Sequence, residues 1–215
     1  MSNISCPTQL KLSELVGRGG MSEVFRAQWA GADGFERPVA VKRILPETFD
    51  DPNALGLFKA ELQLCSMLQH PNIVQVFQCG VDNGAPFLVM EYLDGVNLMV
   101  LSQKLASTNL FGKKGLTVLV ACHIISEVAK GLGYAHRFRD PFNGKPLDVV
   151  HRDISPDNIF LTYSDGIKLV DFGIAKFAGR AELTQALGVR GKVRYLSPEQ
   201  AQASVHGAPA RVGLQ

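Results

Sequence analysis

His151-Arg152-Asp153 and Asn158, followed by Asp171-Phe172-Gly173, restrict the fold of this chain more than any other part of its sequence. Short β-rich runs bracket these polar residues, at positions 148–150, 159–162 and 167–170. Taken singly, Asp153 and Asp157 could be turn residues and Asp171-Phe172-Gly173 a loop after a strand, but the order and spacing of all these residues together argue against that reading. We therefore expect these distant polar side chains to converge in a single cleft.

Composition is that of a soluble globular protein with one or two domains. The chain has 215 residues, of which 46% are hydrophobic and 20% charged, enough for one good core or two small ones. The net charge of +2 is too mild to indicate nucleic acid, and the longest cationic run is Lys113-Lys114. We expect no nucleic-acid partner.

Cysteine usage and the apolar stretches indicate a cytoplasmic location. The four cysteines are widely spaced, without a CxxC pair, and the N-terminus lacks a basic segment followed by an apolar one. The longest apolar stretch, residues 116–125, is shorter than the roughly 20 residues of a membrane span. We expect free thiols, no membrane segment, and a buried helix at 116–125.

Residues 1–94 predict a small antiparallel sheet with one helix. Five β-rich runs are separated mostly by Gly-containing turns, at residues 10–16, 23–29, 37–44, 73–80 and 86–92. Asp51 before Pro52 is a typical helix start, and the apolar periodicity that follows ends near His70. Asp94-Gly95 then breaks the pattern, so we place a boundary there.

Residues 95–201 predict a mainly helical second unit. Helical periodicity occurs at 97–106 and 117–136, and loops are expected at 107–115 and 139–147. Residues 202–215 contain Gly207, Pro209 and Gly213 and lack helical periodicity, so an irregular tail is expected there. The fold class is α+β.

A glycine-rich segment at residues 17–24 follows one predicted strand and leads into another. Its glycines would let backbone N–H groups approach phosphate oxygens without a Cβ in the way. By itself the segment is equally compatible with an ordinary Gly-rich hairpin. A dinucleotide-binding turn is less compatible, because it must open a helix, whereas Val24-Phe25-Arg26-Ala27 is strand-like.

Lys42 and Glu61 are predicted to form an ion pair. Lys42 ends the small apolar run Val39-Ala40-Val41, and Glu61 falls on the apolar side of the predicted helix. Each would be costly to bury alone, so each explains the burial of the other. Such a pair could hold the α- and β-phosphates of a nucleotide.

Asp153, Asn158 and Asp171 fit the chemistry of phosphoryl transfer from ATP. Asp153 would accept the proton of the attacking hydroxyl group. Asn158 and Asp171 would supply oxygen ligands to Mg²⁺, which prefers such hard ligands. We expect ATP and Mg²⁺ to be the cofactors.

From about Leu10 to Ala201 the sequence resembles the eukaryotic-like (Hanks-type) Ser/Thr protein kinases of bacteria. The resemblance implies a bilobal fold: a five-stranded antiparallel N-lobe sheet with one helix in residues 1–94, and a mainly helical C-lobe in residues 95–201. The C-lobe is expected to be incomplete, because the chain ends soon after Ser197-Pro198-Glu199.

The resemblance also assigns roles to individual residues. Lys42 and Glu61 become the ion pair, Asp153 the catalytic base, Asn158 and Asp171 the metal ligands. The residues expected to contact ATP are Val16, Gly17, Arg18, Gly19, Gly20, Met21, Ser22, Glu23, Val24, Ala40, Lys42, Met90, Glu91, Leu93 and Phe160. The residues expected to form an apolar stack between the lobes are Cys65, Val76, His151 and Phe172.

Two polar positions depart from the family pattern. Ser22 stands where a third glycine is usual, a mild change. Ser155 replaces the lysine that usually neutralises the γ-phosphate, while Lys192 stands where such kinases usually carry a threonine. We hypothesise that lysine and hydroxyl have exchanged places, so that Lys192 supplies the missing charge and counts among the catalytic residues.

The resemblance implies a kinase that phosphorylates Ser/Thr hydroxyl groups of proteins, itself included. Pro156 favours this class over tyrosine kinases, and Thr184 is a candidate phosphorylation site. A truncated or pseudokinase module that binds ATP without transferring phosphate is the alternative. A small-molecule kinase is less compatible, because the Ser197-Pro198-Glu199 segment that shapes peptide docking is present.

Overall fold

Five antiparallel strands form a sheet in the N-terminal part of the chain. They are β1 (Gln9–Arg18), β2 (Ser22–Ala30), β3 (Glu36–Ile44), β4 (Val76–Asp82) and β5 (Ala85–Glu91). Their order in the sheet is β1-β2-β3-β5-β4. The computed structural model describes residues 9–19, 22–31, 34–45, 62, 65–82, 84–108, 115–164, 166–172 and 192–198. The predicted five-stranded antiparallel sheet is confirmed.

Residues on β3 alternate between the two faces of the sheet, and both faces are covered. Val39 and Val41 are 0% exposed and belong to an outer cluster with Ala27, whereas Ala40 and Ile44 belong to the larger core. Because successive side chains of a strand point to opposite faces, Lys42 lies on the same face as Ala40 and Ile44. The alternation therefore directs the Lys42 ammonium toward the larger core.

Two capped helices follow the sheet. Helix α1 (Leu98–Ser107) begins after Asn97, whose side chain accepts a hydrogen bond from the Val100 N–H at 2.8 Å. Helix α2 (Val118–His136) begins after Thr117, which caps it in the same way. Both starts match the predicted ones, since short polar side chains at these positions satisfy otherwise unpaired N–H groups. Residues 62 and 65–67 are also helical, within the predicted helix that ends near His70.

Helix α2 is less buried than predicted. Its core-facing residues are Ile124, Val128, Gly131 and Ala135, but Val118 and Leu119 are 78% and 84% exposed. The expectation of a buried helix at residues 116–125 is therefore wrong for most of this stretch, in which only Ile124 is buried, because uniformly apolar sequence cannot indicate which side faces the core. With 19 residues, α2 is long and apolar enough to span a membrane, a property that core helices of soluble proteins share.

A second, three-stranded antiparallel sheet carries the polar loops. Its strands are β6 (Gly95–Asn97), β7 (Ile159–Thr162) and β8 (Ile167–Leu169), in that order. Strand β6 was not predicted. A Cβ on Gly95 would lie 2.0 Å from the Leu161 carbonyl oxygen, so β6 can pair with β7 only because residue 95 is glycine.

The predicted strand at residues 148–150 is wrong. These residues have no strand partner, and Asp148 has a φ of 45°, in the left-handed region that an extended strand cannot use.

Leu169 connects the second sheet to the residues that precede β4. Its N–H donates to Asn72 O at 2.8 Å, and its carbonyl accepts from Val74 N at 2.9 Å. Leu169 is 0% exposed and lies in one continuous core with residues of both sheets and α2, among them Val76, Met90, Ile124 and Phe172. The position of Asp171, two residues further on, is therefore tied to this core.

Candidate active site

Lys42 and Asp171 form an ion pair beside the core. Lys42 Nζ lies 2.6 Å from Asp171 Oδ1, and the lysine is 9% exposed. Asp171 has a φ of 58°, a left-handed conformation that costs a non-glycine residue roughly 1–2 kcal/mol. Strand β3 and the segment after β8 thus bring together two side chains that are 129 positions apart in sequence.

Asn158 and Asp153 are joined directly. Asn158 lies in a 3₁₀ turn (Pro156–Asn158) and is 4% exposed. Its Nδ2 donates to the backbone oxygen of Asp153 at 2.7 Å and to Asp153 Oδ2 at 2.9 Å. Because the amide nitrogen faces Asp153, the amide oxygen of Asn158 is directed away from that carboxylate and has the chemistry of a metal ligand.

His151 links the loop of Asp153 to the segment of Asp171. Its Nε2 lies 3.0 Å from Val170 O, and its Nδ1 accepts the Asp153 N–H at 3.3 Å. These partners assign the proton of the ring to Nε2. Burial lowers the pKa of His151 from its usual value, so the ring is neutral near pH 7. The neutral ring, hydrogen-bonded through both of its nitrogens, fixes the positions of the two loops relative to each other.

The aromatic face of His151 packs on Phe172, with ring centroids 4.5 Å apart. Phe172 in turn lines an apolar cavity next to the ion pair, together with Lys42, Cys65, Leu68, Ile73, Val74, Val76, Leu88, Met90 and Asp171. The four residues expected to form an apolar stack are all buried, with exposures of 1% to 6%. Three of them, Cys65, Val76 and Phe172, line this cavity.

The glycine-rich segment forms the hairpin between β1 and β2. Val16, Gly17 and Arg18 end β1, while Ser22, Glu23 and Val24 begin β2. The Gly19 N–H donates to Ser22 O at 2.8 Å, and Arg18 Nε lies 3.4 Å from Glu23 Oε1. The segment opens a strand and not a helix, as predicted, which excludes the dinucleotide-binding turn.

The remaining residues expected to contact adenine lie on three strands and the segment after β5. Ala40 on β3 pairs with Met90 on β5, and Val24 packs against the larger core. Phe160 is half-buried on β7, opposite Lys168 on β8. Glu91 ends β5 and Leu93 follows it, partly buried against the same core.

Several predicted site residues lie outside the described part of the chain. They are Gly20, Met21, Glu61 and the side chain of Lys192; the Lys192 backbone begins a 3₁₀ turn (Lys192–Tyr195). The predicted Lys42–Glu61 ion pair therefore stays a prediction. Where the structure describes the surroundings of Lys42, its ion-pair partner is Asp171.

Sequence reasoning missed Lys168. Its ammonium lies 2.5 Å from Glu91 Oε1, and only 19% of its side chain is exposed. A lone lysine inside the apolar run Ile167-Lys168-Leu169-Val170 was the available signal, because a buried cation requires an anion.

Metal binding at this site would depend on few protein ligands. Among the described residues no group of three or more His, Cys, Asp or Glu side chains could hold a metal ion. Asn158 and Asp171 offer two oxygen ligands, which suits Mg²⁺, an ion that usually takes one or two protein oxygens and completes its shell with phosphate and water.

Residues 10–212 match the family model of the protein kinase domain. Over 189 residues the chain is 41% identical to the tyrosine-protein kinase MasK of Myxococcus xanthus, covering 87% of this chain and 28% of MasK. Over 198 residues it is 34% identical to the serine/threonine-protein kinase PknB of Mycobacterium tuberculosis, covering 89% of this chain and 28% of PknB. The chain thus spans less than a third of either protein.

The fold is also similar to a solved structure. The crystal structure of the M. tuberculosis PknI kinase domain superposes with a TM-score of 0.64 at 28% identity, covering 100% of this chain and 80% of that one.

Proposed function

The chain belongs to the protein kinase family, and from this premise we propose that it transfers the γ-phosphoryl group of ATP to serine and threonine hydroxyl groups of proteins. The Lys42–Asp171 ion pair carries this proposal. It joins the lysine that would bind the phosphates to the carboxylate that would bind the metal ion. The kinase domain would act in the cytoplasm, where ATP is available.

Asp153 orients the acceptor hydroxyl group and takes its proton during transfer. The Asn158 Nδ2 bond to Asp153 Oδ2 supports this role, because it fixes the direction of the carboxylate. Neutral His151 holds the Asp153 backbone from the other side.

Asn158 and Asp171 would hold Mg²⁺, which neutralises charge on the phosphates when bound. Lys42, now paired with Asp171, would then turn toward the α- and β-phosphates. Val24, Ala40, Met90 and Phe160 would enclose the adenine ring, with Glu91 and Leu93 bonding its edge through their backbones. The β1–β2 hairpin would cover the phosphates with backbone N–H groups.

Ser155 supports the exchange of lysine and hydroxyl group at this site. It is 2% exposed, and within the described residues its Oγ has no hydrogen-bond partner. A buried hydroxyl group left without a partner costs about 1–3 kcal/mol, so a partner is expected in the working enzyme. We propose that the Lys192 ammonium takes this place and also offsets the charge of the transferred phosphoryl group.

Tyrosine is the second candidate acceptor. The relative that is 41% identical is named a tyrosine-protein kinase, whereas PknB is named a serine/threonine-protein kinase. Pro156 favours serine and threonine through the family resemblance. A single assay with Ser, Thr and Tyr peptides separates these acceptors, and autophosphorylation on all three can be read by mass spectrometry.

Radiolabelled ATP tests the function directly. The wild-type chain should label a generic basic protein and itself, and Asp153→Asn should reduce transfer by at least about a hundredfold. Asp148→Asn is the matched control, because Asp148 is exposed and its left-handed backbone suits asparagine equally well. ATP binding without transfer by the wild-type chain would instead identify the non-catalytic, truncated or pseudokinase alternative.

A further inference from the structure

A second pocket lies where the segment before β4 meets the end of α2. It is lined by His70, Lys130, Tyr134, Arg137, Phe138 and Arg139. None of these residues lines the cavity beside Lys42. The pocket is therefore separate from the kinase site described above.

Three aromatic rings follow one another along one wall of this pocket. The ring centroids of His70 and Tyr134 are 5.1 Å apart, and those of Tyr134 and Phe138 are 5.7 Å apart. Tyr134 Oη accepts the Gln69 N–H at 3.2 Å, which leaves its own O–H as a donor. The wall thus offers an apolar surface with a hydrogen-bond donor at its edge.

Arg137 and Arg139 are held at this pocket by the backbone around them. A Cβ on Gly133 would lie 3.3 Å from Arg137 Nη1, so the absence of a side chain at residue 133 lets the guanidinium lie close against α2. Arg139 Nη1 donates to Gly144 O at 3.0 Å. In the part of the chain that the structure describes, neither arginine forms an ion pair.

The charges around the pocket have a positive balance. Lys130 is paired with Glu127, so these two charges offset each other. His70 Nδ1 accepts the Asn72 N–H at 3.1 Å, which puts the proton of the neutral ring on Nε2, as one more donor. The nearby Asp140 carboxylate accepts hydrogen bonds from Phe142 N and Asn143 in the following turn. Asp140 keeps its negative charge in these hydrogen bonds and offsets one of the two arginines, so the balance is one positive charge, and neither Arg137 nor Arg139 has an ion-pair partner among the described residues.

We propose that this pocket binds a phosphate monoester, with the phosphate on Arg137 and Arg139 and the organic part against Tyr134 and Phe138. A phosphate monoester carries a charge of about −1.5 to −2 at pH 7, which matches two arginines better than a carboxylate would. Arginine forks suit its oxygen geometry. The ester could belong to a small metabolite or to a phosphorylated side chain of another protein.

The alternative is that these cations serve only the helix. Positive charges near a helix C-terminus stabilise it by about 0.3–1 kcal/mol, and Arg137 directly follows α2. That role does not require His70, which comes from another segment, or a concave aromatic wall. The two roles differ in one measurable respect, since a purely helical role involves no bound phosphate.

A ³¹P NMR titration of the 215-residue chain with phenyl phosphate tests the proposal. The double variant Arg137→Gln/Arg139→Gln should raise the Kd by at least about tenfold, because each charge-assisted contact removed accounts for a factor of that order. Lys145→Gln, an exposed cation of the next loop outside the pocket, should leave the Kd unchanged. Lys42→Met should also leave it unchanged, which separates this pocket from the nucleotide cleft.

Gly133→Ala provides a second variant that preserves every charge. Its new Cβ would lie 3.3 Å from Arg137 Nη1 and shift the guanidinium by a few tenths of an ångström, which should weaken phenyl phosphate binding while the helical circular dichroism is retained. The proposal is overturned if the double arginine variant binds phenyl phosphate as the wild type does. Equal binding of benzenesulfonate, a monoanion of similar shape, would also overturn it.

The same titration identifies the source of the phosphate. Tighter binding of a phosphoserine peptide than of adenosine monophosphate assigns the pocket to phosphorylated proteins, and the reverse order assigns it to small metabolites. Both orders are read as the difference in affinity between the wild type and Arg137→Gln/Arg139→Gln, so that binding in the nucleotide cleft cancels. Neither result depends on whether the chain transfers phosphate.

Discussion

Lys168 Nζ lies 2.5 Å from Glu91 Oε1, so an ion pair joins β8 to the last residue of β5. The same carboxylate oxygen accepts the Gln75 N–H at 2.8 Å, and the Glu91 N–H donates to Gln75 O at 2.9 Å. Side chains that are 19% and 24% exposed form this pair. The strand that precedes Asp171 is thus fastened to the segment proposed to bind adenine.

Replacing Lys168 with methionine should destabilise the fold. Glu91 would keep its bond to Gln75 but lose its cation while largely buried, at a cost of about 1–2 kcal/mol. The midpoint of urea unfolding measures this loss. Lys145→Met, which replaces an exposed lysine, is the control and should change the free energy of unfolding by less than about 0.5 kcal/mol. Equal midpoints for the two variants would contradict the importance of the pair.

His151 should make stability depend on pH. Burial lowers its pKa in the folded state, so the unfolded chain binds a proton more readily. The stability contributed by the neutral ring is therefore present above the unfolded pKa of about 6.5 and is lost as the pH falls toward the folded pKa. Urea unfolding between pH 7.5 and 5.5 should show this slope in the wild-type chain, and His151→Asn should flatten it. An unchanged slope in the variant would assign the effect to other groups.

Ser155 and Lys192 should rescue each other. If Lys192 supplies the charge missing from residue 155, Lys192→Thr should lower kcat by about 10²–10³-fold, as the loss of a stabilising group at the reacting phosphate does. Ser155→Lys alone places a second cation near Lys192 and should not raise activity. The double variant Ser155→Lys/Lys192→Thr should recover at least tenfold over Lys192→Thr. Effects that simply add in the double variant would refute the exchange.

Gly95 should tolerate no side chain. A Cβ there would meet the Leu161 carbonyl oxygen at 2.0 Å, and backbone cannot yield as a flexible side chain can. Gly95→Ala should therefore cost at least about 2 kcal/mol of unfolding free energy, at the upper end of ordinary overpacking. Gly31→Ala is the matched control, since its Cβ would make an ordinary contact at 3.6 Å. Thermal unfolding of both variants measures the difference.

Strands with clear alternation were predictable, and short or irregular segments were not. The five strands of the first sheet follow from β-rich runs between glycines. β6 has three residues, and the Asp94-Gly95 pair at its start is typical of a turn, so only its pairing with β7 reveals it. Val149 and Val150 suggest a strand, but a sequence does not show the backbone reversal at Asp148.

The sequence indicates a set of polar residues but not the contacts between them. Motif spacing predicted one cleft for Lys42, Asp153, Asn158 and Asp171. In the structure Lys42 forms an ion pair with Asp171, and Asn158 donates a hydrogen bond to Asp153. Which carboxylate pairs with a given lysine depends on distances of a few ångströms, which periodicity does not contain. The residues that line the second pocket lie up to 69 positions apart, so no local sequence pattern could indicate the pocket.

The hydrogen bonds of Leu169 restrict how far Asp171 can move. Both backbone polar groups of Leu169 are taken by residues 72 and 74, and the aspartate is only two peptide units away. Any tilt of the first sheet that also moves residues 72–74 should move the Asp171 carboxylate with it, so the cleft should not widen while the group proposed to bind the metal stays in place. Opening of the cleft for nucleotide exchange would then also move the Asp171 carboxylate away from a bound metal ion.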